Sequence, residues 1–142
     1  MVVRVRVRIE RGSRVIETSA LANSGYEAET PQILVPIRLA EALGLWPPST
    51  ELEESVYDTA GGPLRVWIAR SGCVVRVVTE DAESPPVEAD LVVSPIADEA
   101  LLSDKLISRL QIVLEDAGEG LWRFRWEPPT KLRRSVPPRF WR

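Results

Sequence analysis

The chain has 142 residues and a mass of 15.9 kDa, the length of one domain built on one hydrophobic core. Hydrophobic residues make up 44% and charged residues 27%, an ordinary composition for a folded globular domain, and no apolar run approaches the roughly 18 residues of a membrane helix. The formal net charge is −3, and 16 of the 18 basic residues are arginine, with a single Asn and a single Met, a scarcity of thermolabile residues that fits a thermophile.

In chain order, residues 2–9 alternate, with Val3, Val5, Val7 and Ile9 on one face and Arg4, Arg6 and Arg8 on the other, the period of a half-buried strand. Arg11-Gly12-Ser13 signals a turn and Arg14–Ala22 the returning strand. Asn23-Ser24-Gly25 breaks the pattern. Gln32–Val35 reads as a short strand and Pro36–Gly44 as a short helix, with Pro36 suited to the first turn and Gly44 to the position past the end. After Trp46-Pro47-Pro48, the segments Glu51–Asp58 and Leu64–Arg70 flank Ala60-Gly61-Gly62-Pro63, a long hairpin with a glycine-rich tip. Cys73–Thr79 and Leu91–Ser94 are strands on either side of an acidic, proline-containing loop. Leu101–Leu110 reads as a second helix, with Leu102, Leu106 and Leu110 at i, i+4 and i+8. Gln111–Glu115 and Leu121–Glu127 make a final hairpin.

The last 15 residues differ in kind. Residues 1–127 carry 13 basic and 21 acidic residues, whereas residues 128–142 carry five basic residues, no acid and four of the 12 prolines. The division expected is a body, 1–127, and a basic proline-rich tail, 128–142, flexible or polyproline-like, lying against the acidic body or reaching a partner.

Several chemistries are excluded outright. There is no histidine, which removes Ser-His-Asp and Cys-His catalysis and histidine-ligated zinc. The one cysteine, Cys73, forms neither an internal disulfide nor a cysteine-only zinc site. Neither GxxxxGK[ST] nor GxGxxG occurs. No metal and no cofactor are expected. The N-terminal VVRVRVRIERG lacks the apolar run of a secretory leader, so a cytoplasmic protein without a membrane partner is the expectation.

One ordered set of motifs goes further. Ala20-Leu21-Ala22-Asn23-Ser24-Gly25-Tyr26, then Ile33-Leu34-Val35-Pro36, then a helix ending in Leu43-Gly44-Leu45 resembles the retropepsin-like aspartic proteases. In that family a strand ends in Asp-Thr/Ser-Gly and is followed by a strand and a helix closing on Leu-Gly-Leu. The hairpin tip Ala60, Gly61 and Gly62 stands where the family has its flap. Leu101-Leu102-Ser103 followed by Asp104-Lys105-Leu106 looks like the second motif, apolar-apolar-Gly before a helix, and Ile112–Phe124 looks like the closing strands. The likeness spans residues 14–127. It implies a mostly-β acid-protease barrel with two short helices, and a homodimer whose two motifs meet at the axis under paired flaps that cover an extended polypeptide. The two terminal strands, whose edges would otherwise lie exposed, add to the expectation of a dimer.

The likeness also exposes two departures: Asn23 stands where the family has its catalytic Asp, and Ser103 where it has Gly. The first bears on chemistry. Two carboxylates held together share a proton, one serving as base toward water while the other polarises the peptide carbonyl. Ser24 would brace that pair and Gly25 would allow close backbone approach. A neutral amide is no base near neutral pH, so the scaffold as written is a disarmed protease that still binds peptide. Three explanations of Asn23 stand side by side: natural loss of the catalytic group, an engineered change in an active endopeptidase whose residue 23 is otherwise aspartate, and slow Asn-Ser deamidation. The second departure matters only if position 103 needs positive φ.

Other features carry plainer readings. Asp58-Thr59-Ala60-Gly61 has one residue too many before glycine and reads as a turn. Cys73 sits in an apolar strand, as a buried structural thiol does. Ser103 and Lys105, at i and i+2, do not face each other on a helix. Glu80, Asp81 and Glu83 lack calcium-loop spacing. Trp122, Phe124 and Trp126 alternate with Arg123 and Arg125, a pattern some nucleic-acid surfaces share, but a solvated sheet face balanced by the acidic body is preferred to nucleic acid as a partner. A non-enzymatic interaction protein acting through the tail is the remaining alternative.

Overall fold

The computed structural model describes residues 2–142. Ten strands and two helices follow in the order β1 (Arg4–Arg11), β2 (Arg14–Ala22), β3 (Gln32–Pro36), α1 (Ile37–Ala42), β4 (Glu53–Thr59), β5 (Gly62–Val77), β6 (Val87–Ser94), β7 (Ala100–Leu102), α2 (Asp104–Arg109), β8 (Ile112–Asp116), β9 (Leu121–Phe124) and β10 (Arg133–Arg134). Six strands close into a barrel in the order β1-β2-β7-β3-β6-β5, with β5 returning to β1. The fold is therefore mostly β with two short helices, as expected, and the barrel is a closed one of six strands. A separate three-stranded sheet, β10-β9-β8, lies beside it.

Alternation decides which side chains fill the barrel. Val3, Val5, Val7 and Ile9 are all but inaccessible to solvent, and the intervening arginines face out. β3 and β6 are buried on both faces, the signature of strands covered from both sides. Their Ile33, Val35, Leu91 and Val93 point into the main core with Leu39, Leu102, Leu106, Leu110 and Phe124. Leu34 and Val92 point the other way and join Val66 and Ile68 in a second, smaller cluster.

β5 is one strand of 16 residues where two were expected. Along one edge it changes partner: Gly62–Ile68 pair with β4, and Val74–Val77 pair with β1. Along the other edge its Trp67–Val75 stretch pairs with β6, with a register break between Ala69 and Cys73. The break lies at Ser71, whose φ is +48°, and Gly72, where a Cβ would sit 2.7 Å from the Ala69 carbonyl oxygen. Residues 62–66 of β5, paired only with β4, project past the barrel as a hairpin.

Three further expectations need correcting. Residues 101–103 are not helical: Ala100–Leu102 form β7, and α2 begins at Asp104. The leucine spacing misleads because Leu102, Leu106 and Leu110, each fully buried, belong in turn to a strand, a helix and a cap. Pro36 ends β3 and caps α1 instead of opening the helix, although Gly44, at φ +78°, does follow its end. Finally, β1 is paired on both edges, so it has no free edge to offer a second copy.

The C-terminal segment is not a loose tail. Arg133 and Arg134 pair with β9, Ser135 N donates to Gly120 O at 2.8 Å, and Val136 N donates to Arg4 O at 2.9 Å, so the segment bridges the small sheet and the barrel. Further on, Arg139 N donates to Ser19 Oγ at 2.7 Å and Trp141 Nε1 to Thr18 Oγ1 at 3.0 Å. Trp141 N donates to Asp98 O at 2.7 Å. Charge attracts it as well: Arg133 pairs with Asp81 at 2.7 Å and with Glu127 at 2.9 Å, Lys131 pairs with both acids, and Arg142 pairs with Asp98 at 3.1 Å.

Glu127 is nearly buried, and the Arg133 guanidinium, with the Phe124 N–H and Lys131, overcomes the cost of burial and holds its carboxyl down at about 2. A depressed carboxylate contributes stability above its unfolded pKa that disappears as pH falls through the folded one. Stability is thus expected to fall between about pH 4.5 and 2, with the C-terminal strap becoming protease-sensitive in that window. Glu127→Gln should flatten this part of the profile; urea midpoints against pH, with limited proteolysis by an acid-tolerant enzyme, provide the check.

Candidate functional site

β2 and β7 run parallel, with Ala20, Leu21 and Ala22 opposite Ala100, Leu101 and Leu102. Parallel strands end on the same side, so Asn23 and Ser103, the residues that follow them, emerge together. β3 is antiparallel to β7, which puts its first residue, Gln32, at the same end. The Asn23-Ser24-Gly25 loop and the second motif, 80 positions apart, thereby share one corner of the barrel.

Backbone hydrogen bonds hold the corner. Asn23 N donates to Leu102 O at 3.2 Å, Tyr26 N to Asn23 O at 3.0 Å, and Asp104 N to Tyr26 O at 2.9 Å. Asp104 Oδ1 accepts from Ala28 N at 3.1 Å. Asn23 is half-buried, while Ser24 and Gly25 are exposed. The one hydrogen bond of the Asn23 side chain among the described residues is its Oδ1 accepting from Gly25 N at 3.0 Å, an Asx turn. That bond uses the carbonyl oxygen, an acceptor that a carboxylate also has.

Ser103 has φ −71° and ψ 166°, so the position makes no demand for glycine. Its hydroxyl, wholly buried, accepts from Gln32 N at 3.0 Å and from Leu106 N at 3.3 Å. It thus caps α2 and satisfies the first amide of β3 at once. Leu102 is sealed in the main core, and Leu101 turns outward to the second cluster.

That second cluster is a closed apolar patch beside the loop. Leu34, Val66, Ile68 and Val92 form its floor, ringed by half-exposed Tyr26, Tyr57, Leu64, Ala97 and Leu101. Val56 and Ile96 are the exposed apolar residues of the neighbouring hairpin and loop. The hairpin tip Ala60, Gly61 and Gly62 stands clear of the barrel. Thr59 Oγ1 ties the tip by accepting from Gly61 N at 3.2 Å and donating to Gly62 O at 2.7 Å, and Gly62 has φ +108°, a conformation that suits glycine. Among the described residues no hydrogen bond joins the tip to the Asn23 loop; the hairpin meets the loop lower down.

The residues that make this meeting were not singled out by the sequence. Gln32 Oε1 accepts from Tyr26 Oη at 2.7 Å and from Tyr57 Oη at 3.0 Å. Gln32 Nε2 donates to Thr30 Oγ1 at 3.2 Å, and Thr30 Oγ1 donates to Asp90 Oδ2 at 2.7 Å. Burial raises both phenols above their ordinary range, so they remain donors. Burial also acts to raise Asp90, but Ser71 N at 2.7 Å, Thr30 and Arg70 outweigh it and the net shift is downward. The only hint in the sequence is scarcity: the chain has two glutamines, Gln32 and Gln111.

The remaining candidates are occupied elsewhere. Burial pushes the Cys73 thiol up to about 12, which leaves it inert near neutral pH. Asp81 is held by Arg133 and Lys131, Glu83 faces Arg8, and Lys105 lies against Asp104. Two surface clefts lie away from the Asn23 corner. One is lined by Arg38, Glu41 and the 139–142 segment, and the other by β1 arginines, the 78–83 loop and the strap. No protein-family model matches the sequence, and no curated protein does.

Removing the Ser103 hydroxyl leaves the buried Gln32 N–H without an acceptor and uncaps α2. Ser103→Ala is therefore expected to lower stability by about 1–3 kcal/mol, read from the urea midpoint at constant slope.

Proposed function

We propose that the chain is a retropepsin-like aspartic-protease scaffold that binds an extended polypeptide in a groove shared by two copies, and that it is catalytically silent as written because Asn23 replaces the acid. One observation carries the reading. The Asn-Ser-Gly loop is hydrogen-bonded to the strand β7, beside an apolar cluster onto which the β4–β5 hairpin packs Tyr57 and Leu64. Exposed Ser24 and Gly25 leave the loop free to meet its counterpart across a two-fold axis, and lifting the hairpin would open the apolar cluster to the side chains of an extended peptide.

In an active form of this scaffold, aspartates at residue 23 of two copies would share one proton. One draws a proton from the attacking water, and the other polarises the scissile carbonyl. Asn23 supplies neither function, but its Oδ1 keeps the turn that a carboxylate oxygen would also make. The same fact favours the second reading, an active endopeptidase whose residue 23 is aspartate: the loop is already shaped for the acid. The reading that places activity in the basic tail has less support, because Lys131, Arg133 and Arg142 are engaged in ion pairs with the body.

The test compares the chain as written with Asn23→Asp on a peptide library from acid to neutral pH. Cleavage by the Asp form alone is the expected result, with an acid-side optimum set by the shared proton. Silence of both forms would move the assignment to a non-enzymatic role. Sedimentation provides a second measurement: ionisation of both acids brings like charges together at the axis, so the Asn23→Asp dimer should weaken as pH rises while the Asn form does not.

A further inference from the structure

The contacts of Gln32 fix the direction of every proton in their chain. Asp90, ionised, only accepts, so the Thr30 hydroxyl donates to it at 2.7 Å. Thr30 Oγ1 is then left to accept, and what it accepts is the Gln32 Nε2 hydrogen at 3.2 Å. The amide is thereby oriented, and Oε1 faces the other way, toward two phenols. Tyr26 comes from the Asn23 loop and Tyr57 from the projecting part of the hairpin, where it pairs with Leu64. Gln32 is itself buried, 5% exposed, and its backbone is held at both N and O by Ser103. It is a fixed post. The hairpin beyond Val66, by contrast, has no strand partner except within itself.

We propose that Gln32 is a positioning residue, a latch whose single amide oxygen holds the β4–β5 hairpin and the Asn23 loop in a set relation, so that movement of either is felt by the other. The latch rests on the reading of the hairpin as a cover over the groove, and it adds the means of communication. Two donors on one acceptor confine the amide rotamer from both sides, and losing one returns torsional freedom to the other. A polypeptide seated beneath the hairpin shifts Tyr57, and Tyr26 carries the change to the loop. Coupling of this kind is reciprocal: ordering of the loop against a second copy would in turn hold the hairpin down.

Amide hydrogen exchange on the full chain tests the latch without any ligand. Tyr57→Phe removes one hydroxyl and keeps the ring packed. It is expected to speed exchange about fivefold, the size one net hydrogen bond supports, both in hairpin residues 55–65 and at loop residues 23–28, while β1 and β2 amides keep their rates. Tyr26→Phe should reproduce the pattern from the other side. Thr59→Ala loosens the hairpin at its tip without touching the latch, and should leave the 23–28 rates unchanged. The proposal is overturned if Tyr57→Phe affects the hairpin alone, if it speeds the barrel strands equally, or if Thr59→Ala disturbs the loop as much. Because no peptide is involved, a chain that shows the coupling but binds no polypeptide keeps the latch and retires the protease reading.

Discussion

Closure of the barrel depends on one pairing, that of Val7–Glu10 in β1 with Val74–Val77 in β5. Without it the sheet would be an open ribbon with β1 exposed at one end, a liability for any soluble fold. With it, the inward residues of β1 face those of β3, β6 and β7 across a core that also receives Leu106, Leu110 and Phe124. The pairing also makes β5 part from β4 past Ile68, because one edge of a strand serves only one neighbour at a time. The overhanging hairpin is therefore a by-product of closure: once β1 occupies the lower half of that edge, β4 is left with the upper half.

The corner at Asn23 follows from the same economy of edges. β7 lies between β2 and β3, parallel to one and antiparallel to the other. Loop, second motif and first residue of β3 are thereby brought to one end, and Ser103 and Gln32 exchange hydrogen bonds there. The serine accomplishes with a hydroxyl what a glycine would leave to backbone alone. Neither departure from the family pattern disturbs local geometry, since Ser103 sits in extended backbone and Asn23 keeps its turn.

The local elements were legible where periodicity and turn residues agree. β2 has the expected bounds, and β1, β3, β4 and the β8–β9 hairpin shift by about one to three residues at their ends, the usual uncertainty for strand limits read from pattern. A mostly-β barrel with two short helices was also anticipated; its closure on six strands was not. What sequence did not reveal is what depends on distant partners. The continuity of β5 through Arg70-Ser71-Gly72 is a property of its neighbours, since the segment reads as a turn by composition. The strand β7 hid inside a leucine spacing that fits a helix. Charge allowed the strap to lie on the acidic body or to reach a partner, and composition does not say which, nor that Asp81, Glu127 and Asp98 receive it. At the candidate site, Asn23, Ser24, Gly25 and Ser103 were visible as a motif, whereas Gln32, Tyr26 and Tyr57 converge only through the fold.

β7 has three residues, the fewest of any barrel strand, and both of its neighbours lie far from it in sequence. It is in effect the seam along which the cylinder is sewn. A seam with so few rungs leans on its end, where Asn23 N to Leu102 O and the paired Ser103–Gln32 hydrogen bonds lengthen it. Both motifs hang from the end of that seam. The fold has thus placed its best candidate for chemistry or recognition at the join with the fewest rungs, diametrically across the cylinder from the long, doubly paired β5.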